Sequence, residues 1–419
     1  MTPISTNDDG GSRLLHALVP LRSRDPHEEH RVATTLELLY DLTLVIAFSV
    51  GGAELAHALA SGHVTAGLAG FGFVQFSTIW AWVSYSSFAS SFDTDDWGVR
   101  LAVATQMVGV LVMSTGIPAL FEGFSRGWQL HSATMVGGYV VMRVALVVLW
   151  LRAARANPER SSVCVSHALW ICAAQVLWVA TPFLHLNPLT LFLVSVPLFG
   201  MELAGPPLLQ RRFGHMSWHP HHLAERFGLL TIITLGEVLV GTASSVTALH
   251  SEHGWSLSTV MVLASGVSIA LGLWWVYFEV PFGDYLHQHP GKATLVTYSH
   301  FILFASLAAI GAGLHVAALR EEGESVISST GAVLSVALPV AVFIVVLYAL
   351  VTAITSRPLG RYQRVMLVLT LAALATSIFI SVLGAPFAVC LLIIVVAPWI
   401  NVAGVETIGH RHLSPTPED

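Results

Sequence analysis

Three ionisable residues, Glu225, Arg226 and Glu237, sit inside an apolar run that extends from His219 to Gly241. At the 100° per residue of an α-helix, His222, Glu225, Arg226, Gly236 and Glu237 share about 120° of arc, one face of one helix. A charge near the bilayer centre costs roughly 2.5–3.5 kcal/mol on insertion scales, so these groups must meet each other, further partners or water. Glu237 stands about 18 Å along the helix from Glu225, near mid-membrane. Two readings fit it: a protonated, hydrogen-bonded core carboxyl, or a carboxyl that binds a proton or solute in an aqueous cavity. Glu37 and Asp41, i and i+4 in sequence, form an acidic pair on another helix face. Like charges that close raise a pKa unless a cation intervenes. Neutralisation by Arg226 or Arg143 in a structural ion-pair network is one reading; a role in binding or proton handling is the other.

Asp93, Asp95 and Asp96 form a third acidic group, around Thr94. Carboxylates grouped at a membrane surface hold divalent cations in enzymes that act on diphosphates, and Asp-x-Asp-Asp also resembles the acid motif of some terpene cyclases. The alternative is a capping loop in which Asp95 or Asp96 begins the next helix. His215, His219, His221 and His222 offer ligand-like spacings, but neither His-Glu-x-x-His nor Cys-x-x-Cys occurs. Interfacial histidines beside Trp218 are the ordinary reading, so no metal and no cofactor is expected. His300 and His315 suit either titration near neutral pH or hydrogen-bonded core positions. Glu54 and His57 are spaced to pair. With no nucleotide-binding loop, Ser-His-Asp order or haem motif, no residue receives a catalytic role.

The elements that must position these groups are membrane helices. The 419 residues are 54% hydrophobic and 11% charged, with a mean hydropathy of +0.71. Soluble domains carry about 25% charged residues, so this composition implies an all-α polytopic membrane protein with the lipid bilayer as its first partner. The net charge of −6, with one lysine (Lys292) and no basic patch, gives no reason to expect nucleic acid. Cys164, Cys172 and Cys390 lie in apolar segments and read as buried thiols.

Twelve apolar stretches have membrane-crossing length: 34–60, 64–90, 98–120, 129–153, 161–184, 188–209, 221–247, 255–281, 292–318, 325–354, 361–382 and 385–406. Of the nineteen basic residues, fifteen fall in tails or loops on the N-terminal side and only Arg126 and Arg320 on the other. That bias predicts cytoplasmic termini and a multi-pass plasma-membrane protein. The expected plan is a tail (1–33), a first six-helix half (34–210), a second half (211–407) and a tail (408–419).

An internal repeat supports the division. Glu37 to Val45 aligns with Glu225 to Ile233, each acid followed five positions later by Leu-Thr, and Trp82-Val83 aligns with Trp275-Val276. Both copies would start on one side of the membrane, which makes a parallel six-plus-six duplication with sites expected between the halves.

The blocks Leu36 to Phe48, Phe92 to Asp96 and His222 to Glu237, with Trp274 to Glu279 and Ser299-His300, are similar to the bacterial low-temperature requirement A (LtrA) family of membrane proteins. The resemblance runs from about residue 33 to 405. It departs at Tyr40, where the family usually has Phe, and at Glu279, where it tends to have Asp. It implies a bacterial inner-membrane fold and no particular substrate.

Two functions are therefore open. One is a secondary-transporter-like protein moving a small solute or ion, with Glu37, Asp41, His222, Glu225, Arg226, Glu237, Glu279 and His300 as substrate- or proton-binding groups. The other is an intramembrane enzyme acting on a lipid or isoprenoid through Asp93, Asp95 and Asp96. Homo-oligomerisation is compatible with either.

Overall fold

The computed structural model describes residues 19–23, 33–126, 133–184, 188–214, 216 and 218–408. Fourteen α-helices make up the body: α1 (Thr35–Ala60), α2 (Val64–Ser91), α3 (Trp97–Thr115), α4 (Ile117–Ser125), α5 (Ala133–Ala156), α6 (Ser161–Ala180), α7 (Pro188–Phe213), α8 (Pro220–His253), α9 (Leu257–Phe278), α10 (Phe282–Gln288), α11 (Ala293–Glu321), α12 (Ser329–Thr355), α13 (Arg361–Val382) and α14 (Phe387–Ile408). The only extended pairing among the described residues is a two-residue antiparallel contact of Arg22–Ser23 (β1) with Phe92–Asp93 (β2).

Polar residues at the ends of apolar runs start the helices, because the first N–H groups of a helix need acceptors. Thr34 and Glu37 form a capping box on α1, and Asp96, His219, Ser256 and Ser328 cap α3, α8, α9 and α12. Eleven segments among the described residues are long and apolar enough to cross a bilayer. Two expected spans end in an added short helix. The third breaks at Gly116, where α3 gives way to α4; a side chain there would come within 2.4 Å of the Met135 backbone N on α5, which only glycine avoids. The eighth ends at Glu279, before α10. The sixth expected span, α7, is not among the eleven, and it contains Pro197, Pro206 and Pro207. Each proline deletes a backbone donor, which weakens the helical ladder and leaves carbonyls to be satisfied by neighbours.

α11 is the central helix. Of its most apolar window 78% is buried, against 22% for the peripheral α13, and it packs on α1, α2, α8 and α12. Its approach to α8 is close enough that a Cβ on Gly241 would meet the Gly311 carbonyl oxygen at 2.1 Å. Small residues that let backbones touch are the usual means of packing helices in lipid, where burying apolar surface gives little drive. α1 crosses beside α8, so the acidic helix of the N-terminal region meets the Arg226 helix directly. Of the three cysteines, Cys164 and Cys390 are buried, but Cys172 lies on the exposed outer face of α6. The apolar run around Cys172 covers that whole face, so sequence hydropathy does not separate core from periphery.

Candidate functional site

Arg226 is fully buried and holds two carboxylates from α1. Its Nη2 donates to Asp41 Oδ1 at 2.6 Å and to Ser86 Oγ at 3.1 Å, while Nη1 lies 3.2 Å from Glu37 Oε1. Trp82 Nε1 donates to the same Asp41 oxygen at 2.7 Å, and the guanidinium stands 5.7 Å from the Trp82 ring centre. His222, one turn earlier on α8, places Nε2 at 3.3 Å from Glu37 Oε1. The spacing of Glu37 with Asp41, and of His222 with Arg226, is i,i+4, so each helix presents two groups on facing stripes. This is a packed network. Two acids share one guanidinium, with indole, hydroxyl and imidazole around it, while Arg226 Nε and Nη1 and Asp41 Oδ2 find no hydrogen-bond partner among the described residues.

The other sequence candidates lie apart from it. Glu225 accepts the Ala33 backbone N–H at 3.0 Å, next in the chain to the Thr34 N–H that Glu37 accepts. Glu237 accepts from Ser49 Oγ at 2.5 Å across the α1–α8 crossing and forms no ion pair among the described residues. Glu279 caps the C-terminus of α9 and is half-buried. His300 is a satisfied core side chain: Nδ1 donates to the Val296 carbonyl at 2.7 Å, Nε2 accepts from Tyr277 at 2.9 Å, and the ring stacks on Phe227 at 4.2 Å. The eight candidates therefore do not converge on one hollow. Glu37, Asp41, His222 and Arg226 meet; Glu225, Glu237, Glu279 and His300 each have their own surroundings.

The acidic loop is a cap. Asp96 accepts the Val99 N–H at 2.9 Å as the first residue before α3, and it also binds Arg152 and the Val19 N–H. Burial alone would raise its pKa, but the Arg152 guanidinium and the two backbone donors outweigh this and hold it down at about 2. Asp95 forks onto exposed Arg100 at 2.7 and 2.8 Å, which lowers its pKa. The Asp93 side chain falls outside the described residues, as does His215. No group of three or more metal-ligating side chains occurs among the described residues.

A second buried arginine was weighed in the sequence only as a neutraliser of Glu37 and Asp41. Arg143 on α5 instead pairs with Glu202 on α7 at 2.8 Å, both almost fully buried. Glu202 also accepts from Trp80 Nε1 at 2.7 Å, Gln175 Nε2 at 3.3 Å and the Tyr139 hydroxyl at 3.3 Å. Arg143 Nε and Nη1 find no hydrogen-bond partner among the described residues. Beside this pair opens a cavity of about 150 Å³, walled by α2, α5, α6 and α7 on one side and by the first turns of α8 and α11 on the other. Trp80, Trp150, Trp170 and Trp218 line it with Ser84, Ser87 and Tyr298. Sequence reasoning missed Glu202. The signal was available: a carboxylate within an apolar span, between Pro197 and Pro206, is as costly there as Glu237 is in its own span.

Long apolar helices in this number make the chain a multi-pass membrane protein of all-α class. It belongs to the bacterial low temperature requirement A protein (LtrA) family, whose model matches residues 32–398. An uncharacterized protein of Rhizobium meliloti (strain 1021) is 25% identical over 264 residues, which cover 61% of this chain and 60% of that relative. The match thus spans less than two thirds of the relative's length. No solved structure matches the chain.

Proposed function

We propose that the protein is secondary-transporter-like and moves a small solute or ion through the cavity between two six-helix halves, 34–210 and 211–407, in the plasma membrane. The observation that carries this reading is the position of the cavity. Its walls come from α2, α5, α6 and α7 of one half and from α8 and α11 of the other, with the Arg143–Glu202 pair at its floor. Transporters built from repeats bind their cargo at such an interface. The Ser49–Glu237 contact adds support. These residues are 188 positions apart, the offset that aligns Glu37 with Glu225, as partners across a pseudo-twofold axis would be.

In this reading Glu37, Asp41 and Arg226 lock α1 to α8, and Glu237 is the protonatable group that couples proton movement to rocking about that crossing. An acid without a cation partner gains or loses a proton at lower cost than one held by arginine. α7, interrupted by prolines and tied to its neighbours through Glu202, is the wall best suited to move.

The test compares metabolites inside and outside cells that carry the wild-type protein, no protein, or Glu237→Gln. Transport predicts that one solute redistributes across the membrane while its total stays constant, and that Glu237→Gln abolishes this with membrane insertion intact. A change in total amount instead, with a new product, would establish chemistry on a lipid or isoprenoid and refute transport.

A further inference from the structure

We propose that the cavity beside Arg143 binds a compact organic monocarboxylate, with the carboxylate on the spare donors of Arg143 and the apolar body among Trp80, Trp150 and Trp170. The inference deepens the transport reading and rests on it only for the claim that the bound acid moves.

The hydrogen-bond inventory at the cavity floor is unbalanced. Glu202 receives four donors, from Arg143, Trp80, Tyr139 and Gln175, which occupies its acceptor capacity. Arg143 spends Nη2 on that carboxylate, and its Nε and Nη1 are left without an acceptor at 2% exposure. His167 Nε2, also buried against the cavity, has no partner among the described residues, and its ring stacks on Trp150 at 4.5 Å and 7°. Guanidinium N–H groups are donors only, so whatever completes this floor must bring acceptor oxygens. An ionised carboxylate does so with the shorter, stronger hydrogen bonds of a charged pair.

The walls favour an apolar body. Indole rings from α2, α5 and α6 line the cavity, while Ser84 and Ser91 turn their hydroxyl hydrogens onto the carbonyls of Trp80 and Ser87 in their own helix. A water occupies about 10–15 Å³ on this measure of volume, so the space corresponds to roughly ten such positions. That suits an acid of about ten non-hydrogen atoms. Two basic residues adjoin the cavity lining in sequence: Arg211 follows Gln210, and Lys292 precedes Ala293. Cations there raise the local concentration of anions.

The experiment titrates the purified full chain, in lipid nanodiscs, with sodium benzoate, benzamide and inorganic phosphate by calorimetry. Saturable benzoate binding is expected, with benzamide and phosphate at least tenfold weaker. The double variant Arg143→Gln/Glu202→Gln, which leaves no unpaired charge, should weaken benzoate at least tenfold. If that variant fails to fold, Thr297→Trp fills the cavity without touching the ion pair and should block binding in the same way. Benzamide binding as tightly as benzoate, phosphate matching benzoate, or benzoate affinity unaffected by either variant would each overturn the assignment. Benzoate that binds but never crosses sealed vesicles would remove transport and leave this site standing. A cationic or neutral solute that redistributes in cells, with no benzoate bound, would do the reverse.

Discussion

The two buried arginines differ in how many acids they face and in what lies beside them. Arg226 is outnumbered: Glu37 and Asp41 both lean on it, with Trp82, Ser86 and His222 packed around, although its Nε and Nη1 make no hydrogen bond among the described residues either. Arg143 has one acid, Glu202, which is itself saturated, and keeps two nitrogens without acceptors at the edge of a cavity. A guanidinium held by two acids where α1 meets α8 joins helices. Unused donors beside a larger cavity, as at Arg143, are where a ligand can still gain hydrogen bonds. On our proposal the cluster with the stronger sequence signature joins helices and the inconspicuous pair holds the ligand.

The largest expected effect tests the Arg226 cluster. Arg226→Leu strands two carboxylates in the core and should cost roughly 3–5 kcal/mol, the usual loss when one member of a buried pair is removed. Thermal unfolding in detergent measures it, and a wild-type midpoint would show that the cluster carries no load. Arg143→Leu leaves one carboxylate that still has three neutral donors and cavity water at hand, so a smaller loss of about 1–3 kcal/mol is expected. If the two variants lose equally, the contrast fails.

A pair at the ends of the spans, Asp96 before α3 with Arg152 near the end of α5, serves as the control. The pKa of Asp96, held at about 2, lies below its unfolded value near 3.8, so the folded state favours the ionised form. The stabilisation is complete above about pH 4, falls as the pH drops, is lost below about pH 2, and amounts to about 2 kcal/mol. Asp96→Asn should flatten that acid limb of the stability profile. An unchanged limb would mean that Arg152 and the Val19 backbone do not hold the carboxylate. The smallest effects belong to the indole donors. Trp82→Phe and Trp80→Phe each delete one hydrogen bond to a buried acid, and such bonds between membrane helices are worth about 0.6 kcal/mol, up to about 1.7. Trp80→Phe should in addition alter ligand affinity, because that ring faces the cavity.

Much of this was legible in the chain. Uninterrupted apolar runs can only be helices in lipid, since every backbone group must be satisfied within its own segment. Glu37 and Asp41 were legible as acids in need of a buried guanidinium, Arg226 or Arg143, because acids one turn apart have few other solutions, and the structure selects Arg226. Asp96 as a cap was one of two readings of its loop, and the structure selects it through the Val99 N–H. Glu225 and His300 were not legible in the same way. Their position on the helix says which stripe they occupy, but a backbone amide of Ala33 and a tyrosine of α9 decide what they touch.

Composition and periodicity dictated an all-α body crossing a membrane many times, because water-averse segments of that length leave no alternative. They also marked which residues could not remain alone. Which acid meets which base depended on how segments apart in the chain come together: α1 beside α8, and α7, packed on α6, with Glu202 in side-chain reach of α5. Cavities arise where such crossings fail to close. The space next to Arg143 is a property of six helices at once, and no single stretch of residues encodes it.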